Sequence, residues 1–453
     1  MTNFIDNQWA SMAYNLNYKS TLDTLGRELT VDLDYSNYSG QAFDDMETHF
    51  FNKQGNENAI PLILRSDIPS NVEIKSGKAD YVHPINKDTK IEAGIKTSFV
   101  TTDNNVKWET YNEGSWNVDR GRTNHFQYKE NLNAAYINIH TQYKKFGFQL
   151  GLRAEQTIAK GNLITENLQK PDTSYLNFFP SVFVSQKISE KNQVTYSYSK
   201  RIDRPSYQNL NPFIYFLDPY AYFQGNPFLK PQYTHSFQVA HTYDGKFITT
   251  LGYSNTSNVM QQVTEQNDET KVTKATMTNL DNFKNLSLGI NAPVTIAKWW
   301  TTNNNLSFYY KEYKSRYLDG EINNTGFSWT LNSNHNFTLP RDFSAELSGM
   351  YLSPNVEGII KIRSMYVVNM GIQKNLWDKK ANIKLNVNDV FNIMKFRGTI
   401  DYQNQHLNIL GKWESRLARI TFTYRFGKED IKPARRRSSG AESEQNRVNM
   451  GGN

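Results

Sequence analysis

The sequence predicts an all-β chain, specifically a transmembrane antiparallel β-barrel. Three observations carry this prediction. Apolar residues recur with a period of two along almost the whole chain, short and long connections alternate, and no apolar run is long enough for a membrane helix. The final strand shows the period most clearly. Ile420, Phe422, Tyr424 and Phe426 alternate with Thr421, Thr423 and Arg425, so one face is greasy and the other polar. A strand needs that pattern when it stands between lipid and water. After Phe426 the apolar pattern stops. The hydrophilic tail, residues 427–453, carries Lys432, Arg435, Arg436 and Arg437 and is expected to be disordered. The expected organisation is thus a barrel over residues 1–426 and a disordered tail beyond it.

Composition agrees with a barrel. Only 38% of the 453 residues are hydrophobic and the mean hydropathy is −0.68. The longest unbroken apolar run is residues 213–217, far short of the ~20 residues that a membrane helix needs. A barrel escapes that requirement because only alternate residues meet lipid. The 27 Tyr and 26 Phe suit a bilayer interface, where a ring and a hydroxyl are both satisfied. There is no cysteine, which removes disulfides and thiolate metal sites and fits an oxidising compartment. The formal net charge of +7 favours contact with lipid and lipopolysaccharide phosphates. No nucleic-acid motif is present.

Further strands follow the same rule. Leu29, Val31, Leu33 and Tyr35 alternate with Thr30, Asp32, Asp34 and Ser36. Phe148, Leu150, Leu152 and Ala154 alternate with Gln149, Gly151, Arg153 and Glu155. Val194, Tyr196 and Tyr198 alternate with Thr195, Ser197 and Ser199, and Ile383, Leu385 and Val387 with Lys384, Asn386 and Asn388. A soluble β-sandwich alternates too, so the connections decide. Tight turns are expected near residues 24–27, 84–88, 144–145, 189–192, 244–246, 298–300, 340–342 and 377–380. Long polar connections are expected at residues 39–71, 103–130, 160–174, 201–232, 258–269, 315–325 and 392–412, with one short exception at 353–357. Outer-membrane barrels show this asymmetry, with short periplasmic turns and long external loops. The count is about 17 strands, several longer than the ~5–6 residues of a sandwich strand. Such barrels have even strand numbers, and residues 1–10 (MTNFIDNQWA) have neither a basic start nor an apolar core. Early strands and a leader are therefore expected to precede this chain.

Residues 201–237, RIDRPSYQNLNPFIYFLDPYAYFQGNPFLKPQYTHSF, resemble the hallmark of the outer-membrane β-barrel family of Bacteroidetes-type bacteria, which are TonB-dependent-receptor-like. Matching segments are DTLGRELTVDLDYSNY from Asp23, ADYVHPI from Ala79, TDNN from Thr102, RTNHF from Arg122, GLRAEQT from Gly151, RLARITFTYRFGK from Arg416 and QNRVNMGGN at the end. The resemblance implies a barrel of about 22 strands closed around an N-terminal plug, often behind a carboxypeptidase-regulatory-like domain. It also implies a nutrient ligand, and the TonB system as partner of the full-length parent. The plug, that domain, the first strands and the TonB-contact segment are expected to be absent from these residues. The function this implies is the barrel portion of a TonB-dependent receptor or transporter. The rivals are a passive pore or adhesin and a secreted all-β carbohydrate-binding protein.

No catalytic or cofactor motif is present: no G-x-S-x-G, P-loop, H-E-x-x-H or glycine-rich dinucleotide turn. The chain is read as a non-enzyme without a cofactor. His235 and His241 lie six apart, but two ligands without a third rarely hold a metal, so no metal site is assigned. Asp32 and Asp34 are read as solvated lumen wall. The candidate ligand contacts are Arg201, Arg204, Tyr215, Tyr220, Tyr222 and Phe223 in the proline-stiffened segment, with Trp108 and Trp116 in another loop. For the arginines a structural role competes, with Asp203 pairing to either of them, and for the aromatics packing into the lumen competes. Trp299, Trp300, Tyr424 and Phe426 are read as interface anchors.

Overall fold

Backbone hydrogen bonds tie the chain into one meander in which each long strand pairs antiparallel with the next. The computed structural model describes residues 1–164, 172–427 and 439–448. The meander starts with Thr2–Thr21 against Glu28–Thr48 and ends with Ala381–Asn388 against Leu417–Tyr424. The main sheet has 20 strands among the described residues. Three are side pieces: Ser115–Val118, Ile214–Asp218 and Ala221–Gln224. The remaining seventeen form the wall, which matches the expected strand number. Thr2–Thr21 and Leu417–Tyr424 each pair with one neighbour only, and no pairing joins them among the described residues. The wall is therefore open along one seam.

The tight turns fall at the expected end. Left-handed φ values at Lys144 (53°), Asp244 (51°), Gly245 (65°), Asp342 (59°) and Asp378 (51°) let these short turns follow the twist of the strands. The other end differs from expectation. Thr89–Asn112 is 24 residues long and Thr273–Ala297 is 25, whereas a tilted strand of ~9–11 residues already crosses a bilayer. Much of what sequence assigned to loops at 39–71, 103–130, 258–269 and 315–325 is strand continuing into water. Residues 165–171, within the expected loop at 160–174, lie outside the described residues. The short exception at 353–357 also disappears. Residues 353–364 carry Asn355–Glu357 and Ile360–Ile362, which join Phe396–Tyr402 and Gln405–Gly411 in a separate four-stranded sheet.

Exposure shows why sequence misjudged those extensions. In Glu28–Thr48, Leu33 and Tyr35 point outward while Asp32, Asp34 and Ser36 are buried inside. Ten residues on, the assignment is reversed: Asp45 and Glu47 are outside and Met46 is buried. Thr89–Asn112 does the same. Ile95 and Phe99 are exposed over buried Lys96 and Ser98, and then Val100, Val106 and Trp108 turn inward beneath outward Asn105 and Lys107. The reversal sits at one level, since Ile74 pairs with both Ser36 and Val100. Below that level the outside is apolar and the inside polar, which only lipid rewards. Above it the wall follows the ordinary rule of soluble proteins. The apolar set changes parity there, so a two-residue pattern read from sequence breaks at the crossing.

The inward apolar surface of the upper half is the largest core. Leu64, Ile74, Val106, Trp108 and Phe126 pack against Tyr207, Leu210 and Phe213 from the connection 204–231. A second core holds Val259, Val263, Leu280 and Tyr313 with Val356 and Ile400 from the small sheet.

Substitution on the two faces of the lower wall tests this arrangement. Ile137 is outward and Asn138 inward in Asn124–Tyr143. Ile137→Arg should cost about 2–4 kcal/mol near the bilayer midplane, and Asn138→Arg much less. The two are compared by the temperature at which the folded barrel loses its fast gel migration.

Candidate functional site

The site is the lumen just above the parity reversal, where residues 204–231 fold back into the barrel. Tyr207 and Leu210 lie in the first part of that connection. Ile214–Asp218 and Ala221–Gln224 form a hairpin, and the second of these pairs in parallel with Thr273–Thr276 of the wall. The hairpin thus bridges two distant parts of the sheet, which requires the sheet to curl around it.

Arg204 anchors the start of this connection. Its guanidinium donates to Glu155 (2.7 Å) and to Thr157 Oγ1 (3.0 Å), and Arg153 also pairs with Glu155. Burial alone would lower the Arg204 pKa, but Glu155, Tyr175 and Glu130 together outweigh it and the net shift is upward. Arg204 is therefore a fixed cation tied to the wall. The expected partner was Asp203, but Asp203 accepts from Gln232 Nε2 instead (3.1 Å). Strand geometry explains this, because Gln232 sits directly across the ladder from Asp203. Arg201 is exposed one strand turn away and does not join the site.

The aromatic candidates divide. Trp108 is fully buried and meets Phe216 edge-on at 5.4 Å, and Phe216 in turn contacts Tyr222 at 5.9 Å. Tyr215 packs on the same core, with burial raising its pKa, and Phe223 pairs with it across the hairpin. Tyr220 is half exposed at the hairpin tip. Trp116 lies on the Ser115–Val118 piece, tilted against Tyr111 and under Arg65, whose guanidinium is 4.1 Å from its ring. Arg65 follows outward-facing parity, so Trp116 belongs to the external surface and is not gathered with Trp108. At the opposite end of the barrel, Trp299 and Trp300 stack with Phe337 (6.2 and 5.7 Å), and Trp377 meets Tyr424 at 5.9 Å. Phe426 stands exposed just beyond the last strand. All four expected interface residues thus lie at the short-turn end.

Between wall and connection lies a cavity of about 310 Å³, lined by Ile68, Val72, Thr102, Asn104, Tyr207, Asn211, Tyr215 and Phe216. Thr102 Oγ1, the Tyr207 hydroxyl and Asn211 Oδ1 are buried there with no hydrogen-bond partner. Burial holds the Tyr207 hydroxyl in its neutral form. The lining is thus mostly apolar in area but also carries Asp44 and Gln208, and three neutral polar atoms in it are unsatisfied, the usual makeup of a small-ligand pocket. On the other side of the connection, a second hollow of about 670 Å³ is more polar, with Glu130, Tyr175, Arg204 and Lys230 in its lining. Sequence reading missed Tyr207, Asn211 and Thr102, although Asn211 lies inside the NLNPF run of the quoted hallmark.

No group of three His, Cys, Asp or Glu among the described residues is placed to hold a metal. His235 contacts Tyr198, and His241 contacts Asn192.

The expected disorder of the tail does not hold for residues 439–448. They form the short helix Glu442–Gln445 inside the lumen, with Ala441 and Glu444 buried. Hydrophilic composition misled here because the surface that receives the segment is itself polar.

A curled wall with lipid-type residues outside, a water-type lumen and a folded-in external connection defines an outer-membrane β-barrel. The comparisons agree. The model of the Outer membrane protein beta-barrel family matches residues 20–424, and the chain belongs to that family and to the outer membrane. The ferric-catecholate import receptor Fiu from K12 E. coli shares 11% identity at a TM-score of 0.62, over 93% of this chain and 64% of its own. The copper transporter OprC shares 13% at 0.59, over 85% and 62%. The ferric yersiniabactin uptake receptor FyuA from Yersinia pestis shares 10% at 0.54, over 87% and 61%. The chain spans less than two thirds of the length of each. No curated protein sequence matches.

The geometry separates the two arginines. Arg204→Ala should lower barrel stability by about 1–3 kcal/mol, since it strips a partner from buried Glu155. Arg201→Ala should stay within about 0.5 kcal/mol. Thermal loss of the compact gel form measures both.

Proposed function

We propose that the chain is the barrel portion of a TonB-dependent outer-membrane receptor that takes up a nutrient ligand. The observation carrying this reading is the folded-in connection 204–231, which lies across the upper lumen and builds a ligand-sized cavity against the wall. A secreted protein has no use for an apolar exterior. The import and uptake receptors that share the fold support a transport role. The unpaired edges Thr2–Thr21 and Leu417–Tyr424 support a larger barrel of about 22 strands. Each orphan backbone group in lipid costs several kcal/mol, so further strands filling the seam would remove that cost. In this reading a plug and a TonB-contact segment belong to the full-length parent. External aromatics and the cavity give the ligand its first contacts, and lipopolysaccharide surrounds the wall.

The cavity accounts for ligand retention through Tyr207, Asn211 and Thr102. Their three unpartnered polar atoms suit a compact ligand that offers both a donor and an acceptor. The test is nutrient-limited growth of a deletion strain on a panel of iron–siderophore complexes, corrinoids, oligosaccharides and peptides. The expected result is loss of one class, restored by the wild-type gene but not by cavity-filling Thr102→Trp at equal barrel abundance. Growth on every class without the gene, or uptake insensitive to loss of TonB, would overturn the proposal.

A further inference from the structure

Residues 439–448 are tied to the inner wall by contacts that follow a pattern. Ser439 donates to Asp34 (2.7 Å), and Gln445 donates to Ser36 (2.8 Å). Glu444 accepts from Lys96 Nζ (2.8 Å) and Ser98 (3.0 Å). The Arg447 guanidinium pairs with Glu130 in a two-pronged contact, one arm at 3.1 Å. Three wall strands take part, and their contact residues cluster around the level of the parity reversal. The charges are complementary: an acid on the segment meets the wall's base, and a base meets its acid. Lys96 and Glu130 have no other ion-pair partner among the described residues.

Arg447 also holds the folded-in connection. Its Nε donates to the Pro205 carbonyl (2.9 Å), its own carbonyl accepts from the Tyr207 N–H (3.2 Å), and its guanidinium lies 4.2 Å from the Tyr207 ring. Val448 lines the 310 Å³ cavity beside Tyr207. One residue therefore joins three things: wall, tail and the backbone of the connection.

We propose that the inner wall carries a peptide-binding site for the chain's own C-terminal segment, and that this segment is a latch. While Arg447 is seated, residues 205–207 are pinned into the lumen and the cavity is complete. When the segment leaves, Lys96 and Glu130 lose their partners, the pinned backbone is freed, and the connection moves outward. Occupancy of this site thus sets whether the upper lumen is closed. The latch is independent of which nutrient the receptor carries.

The absence of cysteine makes the test direct, in the full-length protein in its own membrane. Asp34→Cys with Ser439→Cys should form an intramolecular cross-link on mild oxidation. In a separate background, Gln208→Cys reports the connection through its reaction with a membrane-impermeant maleimide. Arg447→Glu should speed that labelling by at least roughly ten-fold, the factor that about 1.4 kcal/mol makes. The charge swap, Arg447→Glu with Glu130→Arg, should slow it again. Should Arg447→Glu fail to assemble, Ser439→Ala with Gln445→Ala removes two uncharged side-chain donors and should give a smaller increase. No cross-link, or labelling of Gln208→Cys that is equal in the wild-type background and in the assembled variants, would overturn the latch. Nutrient uptake is not the readout, so failure here is distinct from failure of the transport reading.

Discussion

The constraint on which the structure rests is that one strand must serve two solvents. Along a single strand such as Glu28–Thr48, the outer face meets lipid near Leu33 and water near Glu47. The inner face lines a polar lumen near Asp34 and an apolar core near Met46. No change of backbone is needed, because hydrogen bonds run along the ladder through the whole length. Only the parity of the apolar residues changes. That change fixes the depth at which the upper lumen becomes greasy enough to receive a folded connection.

The polar lower lumen and the greasy upper lumen then hold different guests. Tyr207, Leu210 and Phe213 settle on the apolar inner wall, where burying each apolar side chain is worth about 1.5–3 kcal/mol. The segment 439–448 settles lower, on Asp34, Ser36, Lys96 and Ser98. Buried ion pairs contribute little net stability against an apolar replacement, but removing one partner costs about 3–5 kcal/mol. Glu444 and Arg447 therefore specify where the segment sits more than they add to the total. Burial would lower the Arg447 pKa, but Glu130, Tyr207 and Tyr128 together outweigh it and hold the guanidinium charged.

Much of the wall was legible from sequence because the lipid-facing half keeps a strict period and its turns are short. The alternation is read at Leu33, Leu152, Ile383 and Phe422 and their neighbours. The strand extensions were not legible, since Ser39, Gln41 and Asp45 read as loop until their inward partners Ala42 and Met46 are seen to pack. The site was half legible. Trp108 and Tyr222 were marked as aromatics and are linked through Phe216, but Arg204 chose Glu155, a residue 49 positions away, which no local pattern reveals. Trp116 was grouped with Trp108 by nearness in sequence, although it lies on a different strand piece directly across the ladder from Tyr111, and Tyr111 has the opposite parity to Trp108 and so the opposite face. The tail was misjudged because composition describes a segment and not the surface that awaits it.

The central claim is tested most directly by single cysteines placed in turn from Val31 to Glu47 in the naturally cysteine-free chain. Each would carry a spin label in membranes, with collision rates measured against oxygen and against a water-soluble nickel chelate. The account predicts oxygen-dominated collisions at Val31, Leu33 and Tyr35, and nickel-dominated collisions at Ser39, Gln41, Asp45 and Glu47. The same odd-numbered face would thus pass from lipid to water within a few residues of Asn37. Nickel-dominated collisions along that whole face, with no lipid-phase segment, would contradict it.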